Sequence, residues 1–258
     1  MGAGAATLLN WGARVLYLGP AFALTPHRNA TAVLAVALDD EIGVADDPAC
    51  SGTSYRTARS VLILPNSLHH LRIDRGRMAF LYVDPFGRDV AALRSRMREM
   101  RPDAGFDLAG ESTAIDLFKA IAERAIAREH ARIVVGELLG VRSRLEADAR
   151  IVEAIRCMRD TPARAHRLAD LGKRAGLSPS RFLHLFKAET GVPLRRYRIW
   201  NRIGAASRAI AQGQSLTEAA HGAGFASSAH FSSAFRDMFG MAPSELFAAL
   251  RAGEAVQA

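Results

Sequence analysis

The sequence predicts an α+β chain of more than one domain: a β-rich barrel at the N-terminus, a helical linker, and an all-α C-terminal domain with two helix-turn-helix motifs. Three observations predict it. The first hundred residues alternate short apolar runs with turn residues, apolar positions fall at helical spacing from Val90 onward, and a Phe, Phe, Gly pattern occurs twice near the C-terminus. With 258 residues and 49% hydrophobic content, the chain is long enough to bury the cores of two ordinary domains.

The N-terminal runs are RVLYL (14–18), TAVLAVAL (31–38), SVLIL (60–64), LHHLRI (68–73) and RMAFLYV (77–83), broken by GPAF, DDPACSG, LPNS and DRGR. β-branched and aromatic residues suit a pleated surface, while Gly, Pro, Asn and Asp supply turn conformations. Residues 1–110 are therefore expected to form a small sandwich or barrel. After VDPFGRDV the period changes, with Val90, Leu93, Met97 and Met100 on one helical face, and helical periodicity is expected almost to the end. Ile115, Phe118, Ala122 and Ala125, then Ile133, Leu138 and Leu139, mark 111–147 as a helical linker without net charge, or a dimerisation surface.

From Asp148 the predicted helices are short. The stripe Ile151, Ala154, Ile155, Met158 ends at Thr161-Pro162. A helix then breaks at Gly176 and a second begins, with Ser178 suited to the N-cap and Pro179 to the first helical position. LRRYRIWNRIGAASRAIAQG supplies a longer helix through Ile199, Ile203, Ala206 and Ile210, closed by Gly213. Ser215 and Glu218 have capping-box spacing and open another short helix, which breaks at Gly224.

The repeat sets the plan of this region. Phe182, Phe186 and Gly191 recur, 49 residues later, as Phe231, Phe235 and Gly240; Ala175-Gly176 recurs as Ala223-Gly224, and Lys187 as Arg236. Helix, glycine turn, helix is the helix-turn-helix arrangement, whose second helix enters a major groove. A connecting helix of about 17 residues is a rod of roughly 25 Å, which with its end turns holds two reading helices about one DNA turn apart. In GAGFASSAHFSSAFRDMFGMAPSELF the side opposite the Phe stripe carries Ala229, Ser232, Ser233 and Arg236. Small residues let a helix lie deep between phosphate walls, with the arginine at the wall.

Charge supports this. Residues 148–258 hold 16 basic and 9 acidic side chains, against 12 and 11 in residues 1–110, the footprint of a domain that binds a polyanion. No apolar run approaches the roughly 20 residues of a membrane span. MGAGAATLLNWGARV lacks the basic start and apolar core of a signal peptide, so a cytoplasmic, nucleoid-associated chain is expected. Cys50 and Cys157 form no spacing motif for a disulfide scaffold or a zinc site.

AGLSPSRFLHLFKAETGVPLRRYRIWNRIGAA, followed by SLTEAAHGAGFASSAHFSSAFRDMFGMAPSE, resembles the AraC/XylS family of bacterial transcription regulators over residues 148–247. The resemblance implies base-facing positions at Ser180, Leu183 and His184 in the first reading helix, and at Ser228, Ala229, Ser232 and Ser233 in the second. His184 is expected to meet a guanine edge, with Lys187, Arg195, Arg196, Arg198 and Arg236 on phosphates. Gly172 stands where the family usually has Ala, at an expected cost of about 0.5–1 kcal/mol in helix propensity.

The resemblance also implies an N-terminal sensor. LTPHRNATAVLAVAL and RTARSVLILPNSLHHLRI look like parts of a cupin-like barrel for a small organic effector, with His27 and His69 as candidate contacts. Cupin metal sites resemble a His-x-His plus Glu cluster with a later His. Here Asn29 stands where the second His would be and no carboxylate follows, so neither metal nor cofactor is expected. The chain is thus expected to be a sequence-specific transcription regulator without enzymatic activity. Its expected partners are double-stranded DNA, a small effector, RNA polymerase and a second copy of itself. The alternatives are a metal-dependent cupin oxygenase fused to a DNA-binding module, and a DNA-binding protein whose barrel is a ligand-free dimerisation platform.

Overall fold

The computed structural model describes residues 6–12, 14–50, 52–83, 88–140 and 148–255. Packing divides it into two compact units, Met1–Arg144 together with Phe239–Ala258, and Leu145–Met238.

The first unit contains strands β1 (Thr7–Asn10), β2 (Arg14–Pro20), β3 (His27–Arg28), β4 (Ala32–Ala37), β5 (Ile42–Ala45), β6 (Tyr55–Ala58), β7 (Ser60–Ile63), β8 (Leu68–His69), β9 (Leu71–Arg72), β10 (Arg77–Val83), β11 (Met97–Met100) and β12 (Ala104–Leu108). The main sheet runs β1-β2-β10-β4-β7-β12-β11, with smaller sheets β3-β8 and β6-β5-β9. All pairings are antiparallel, as in Leu81 opposite both Leu16 and Leu34. β4 is buried at every position, which is why it reads as a continuous apolar run rather than an alternation. Leu34, Val36, Leu62 and Leu81 face a core shared with three helices, α1 (Arg88–Arg96), α2 (Glu111–Ala122) and α3 (Arg128–Leu139).

Two expectations change here. The helix through Val90 and Leu93 stops at Arg96, and Met97 and Met100 belong to β11, which pairs with β12 through Met97 opposite Leu108. Four residues contain the same apolar spacing in either conformation; the free edge of β12 decides in favour of a strand. The helices expected as a linker are also not a bare connector. Ala114, Ile115 and Phe118 of α2 and Ala131, Val135 and Leu139 of α3 are buried in the same core as Leu16 and Leu34. The rest of the expected linker, 141–147, lies outside the described residues. The C-terminal segment also joins this unit: the Gly240 carbonyl accepts from the Thr25 amide and hydroxyl, each at 2.9 Å, and α10 (Pro243–Ala255) packs against β1.

The second unit contains α4 (Ala149–Asp160), α5 (Leu168–Arg174), α6 (Pro179–Thr190), α7 (Leu194–Ala211), α8 (Leu216–Gly222) and α9 (Ser228–Phe239), whose last residue falls in the first unit. The expected caps are present. Ser178 caps α6 ahead of Pro179, and the Ser215 and Glu218 capping box opens α8 with both reciprocal bonds made.

Candidate nucleic-acid interface

Each half of the repeat folds as a short helix, a turn and a reading helix, α5-α6 and α8-α9. Gly191 and Gly240, the repeated glycines that follow the two reading helices, both have left-handed backbones, φ 71° and 73°. That conformation lets a helix end sharply without a Cβ penalty. In α6 the buried side is Phe182, Phe186 and Thr190, with Phe186 edge-on to Tyr197 of α7 at 5.5 Å between centroids. In α9 it is Phe231, Phe235 and Met238, and Phe231 meets Phe225 edge-on at 5.4 Å. These stripes fix which faces remain outward.

The outward face of α6 carries Ser180, Leu183, His184 and Lys187, all exposed. Leu183, at 40% exposed, is among them an apolar side chain open to solvent. On α9, Ala229, Ser233 and Arg236 are exposed while Ser228 and Ser232 are half-buried. Arg195, at the start of α7, is exposed as well.

Arg196 and Arg198 are placed differently from their expected phosphate roles. The Arg196 guanidinium binds Asp237 of α9 through its carboxylate and its carbonyl, both at 3.2 Å. Arg198 is half-buried and donates to the His166 carbonyl, and burial together with nearby Arg202 lowers its pKa. The cause is helical period: Leu194, Tyr197, Ile203 and Ala206 are the buried stripe of α7, and 196 and 198 flank it. Both arginines act here as struts.

Further basic residues lie nearby. Arg181 is exposed on α6. Arg164, Arg167, Lys173 and Arg174 line an open groove of about 510 Å³ beside α5, with Cys157 and His166. Their contribution to net charge was visible in the sequence, but their convergence depends on the turn between α4 and α5.

The N-terminal candidates, His27 and His69, form a closed cluster. Their rings lie 4.1 Å apart, and the side chains are 5% and 4% exposed. His69 Nδ1 donates to the Ser67 carbonyl at 3.0 Å and its Nε2 faces the Asn29 amide nitrogen at 3.2 Å, so both ring nitrogens are engaged. Burial and then the charge of His27 pull the His69 pKa down to about 3, keeping the ring neutral. Among the described residues no group of three His, Cys, Asp or Glu side chains is placed to hold a metal, and no helix is long and apolar enough to cross a membrane.

A family profile described as "Helix-turn-helix domain" matches residues 171–249. The chain is 38% identical over 77 residues to the predicted transcriptional regulator LumQ of Photobacterium leiognathi. It is 36% identical over 101 residues to a predicted AraC-like transcription regulator of Streptomyces lividans. These matches cover 30% and 38% of this chain and span only 31% and 33% of the relatives' own lengths. In fold, the chain is similar to ToxT of Vibrio cholerae, with a TM-score of 0.60 and 17% identity, covering 92% of this chain and 99% of that one. A ToxT structure with an unsaturated fatty acid bound gives a TM-score of 0.57 at 16% identity, covering 92% and 95% of the two chains. Residues 171–249 thus carry a helix-turn-helix domain similar to those of AraC-like transcription regulators, and the chain as a whole is similar in fold to ToxT.

Proposed function

We propose that the protein is a DNA-binding transcription regulator that inserts α6 and α9 into successive major grooves of one duplex and responds to a small organic effector through its N-terminal unit. The observation that carries this reading is the repeat, realised as two helix-turn-helix units with exposed faces and buried Phe stripes. The 18 residues of α7 make a rod of about 27 Å between them. His184 supplies hydrogen bonds to a base edge and Leu183 an apolar contact for a thymine methyl. Lys187, Arg195 and Arg236 grip phosphates without reading sequence. The small face of α9 reads groove shape more than base identity. The chain acts by binding rather than catalysis, with RNA polymerase and a second copy of itself as further partners. The oxygenase alternative is disfavoured by the two engaged nitrogens of His69.

Binding-site selection at fixed salt tests the division of labour. His184→Ala should relax specificity at one or two base pairs by about 1–3 kcal/mol, while Arg236→Ala weakens all sequences about equally. Equal information in both halves of the site, or a sequence-specific effect of Arg236→Ala, would overturn the assignment.

A further inference from the structure

The repeat pairs one more position besides the Phe stripes, at the start of the two reading helices. Arg181 is the third residue of α6 and His230 the third of α9, separated by the same 49 residues that relate Phe182 to Phe231. Their backbones are held alike. The Arg181 amide donates to the Ser178 hydroxyl at 3.4 Å, and the His230 amide donates to the hydroxyl of Ser227, the repeat partner of Ser178, at 3.1 Å. The two side chains therefore leave equivalent points of equivalent first turns.

Both point away from the core. Each directly precedes a buried Phe, and each is itself exposed. Arg181 shares its face with His184 three residues on, and His230 shares its face with Ser233, the repeat partner of His184. Among the described residues neither the Arg181 guanidinium nor the His230 ring nitrogens have a hydrogen-bond or ion-pair partner, whereas Arg196 and Arg198 are tied into the fold. The His230 ring is nonetheless oriented. It stands edge-on to Phe225 at 5.3 Å between centroids, and Phe225 is packed in turn on Phe231. An imidazole positioned by an apolar contact keeps both nitrogens for a partner outside the chain.

We propose that Arg181 and His230 determine sequence specificity, each reading a guanine edge, at base pairs about one helical turn apart. The inference rests on the DNA-binding reading above and adds one base contact to each half of the site. In a helix-turn-helix the first residues of the reading helix meet base edges. A guanidinium matches O6 and N7 of guanine with two hydrogen bonds, and an imidazole N–H donates one. Because the repeat relates the two residues, the spacing of the helices sets the spacing of their bases. Arg181 joins His184 on α6 while His230 stands among the small residues of α9, so the first half of the site stays richer in sequence information.

The experiment is binding-site selection by the full-length protein from a random duplex pool at fixed salt, followed by titration of the selected duplex and of versions with one base pair replaced. The wild type should select two G·C pairs about 10 base pairs apart. Arg181→Ala should lose the preference at one and His230→Ala at the other, each binding the selected duplex about five- to 150-fold more weakly, while unrelated duplexes weaken far less. Arg181→Gln should change the preferred base at its position from guanine to adenine, because an amide matches adenine bidentately; neither a phosphate contact nor a folding defect produces that change. A variant that weakens all sequences equally, or leaves the selected site as it was, overturns the assignment of that residue. Sequence-selective wild-type binding with the site unchanged in both alanine variants removes this inference alone. Wild-type protein that binds no duplex removes the regulator reading with it.

Discussion

At Gly172 the expectation from propensity alone has the wrong sign. A Cβ there would lie 2.8 Å from the Leu177 carbonyl oxygen, and the Leu177 amide donates back to the Gly172 carbonyl at 2.9 Å. The turn of the first helix-turn-helix is wrapped so tightly on α5 that only glycine fits without backbone movement. Alanine gains about 0.5–1 kcal/mol in helix propensity but costs about 1–3 kcal/mol in overpacking. Gly172→Ala should therefore lower stability by about 1–2 kcal/mol in denaturant melts, the difference of those terms. His69 gives a second residue-level prediction. Its pKa falls from 6.5 to about 3 on folding, so below pH 6.5 the unfolded chain takes up a proton that the folded chain refuses. Stability from this group is present at neutral pH and is lost as pH falls from about 6.5 toward 3, by up to about 1.4 kcal/mol per pH unit. Melts of wild type and His69→Gln between pH 4 and 7 should differ by this slope. Parallel curves would place the ring in a solvated environment.

For the helical elements, the Phe stripes read both reading helices from sequence, with the Ser178 cap adding the start of α6. Phe186 is 0% exposed and Phe235 1%, so Phe186→Ala and Phe235→Ala should each cost about 3–5 kcal/mol. Losses below about 1 kcal/mol in denaturant melts would mean the stripes are not core. The sheet was less legible. Its continuously apolar strands β2, β4, β7 and β10 announced themselves. β5 and β6 did not, carrying polar or small members, and β12, AGFDL, is interrupted by Gly and Asp. Such strands exist because a neighbour's open edge supplies their hydrogen bonds, and the identity of that neighbour is not local information.

Across the whole molecule, net charge and its placement determine how binding responds to salt. Five to eight neutralised phosphates would give a log-log slope of about −4 to −7 for duplex binding by the full chain. Lys187→Ala, at an exposed position on α6, should flatten that slope by about one unit. Arg196→Ala should leave the slope nearly unchanged and lower stability instead, since its guanidinium ties α7 to Asp237 of α9. A salt-insensitive affinity in the wild type would remove the electrostatic basis of the proposed function.

The sequence by itself determined a β-rich N-terminal part and a helical C-terminal part, the repeated helix-turn-helix, the caps at Ser178 and Ser215, and the buried Phe stripes of α6 and α9, because periodicity and capping act within a few residues. Only the tertiary structure decided that Arg196 and Arg198 are struts, that Met97–Met100 is a strand, that α2 and α3 cover the sheet, and that Gly172 is required by contact. Each of these depends on which distant backbone or side chain arrives opposite a residue, and burial, strain and pairing energies are fixed only once that neighbour is in place.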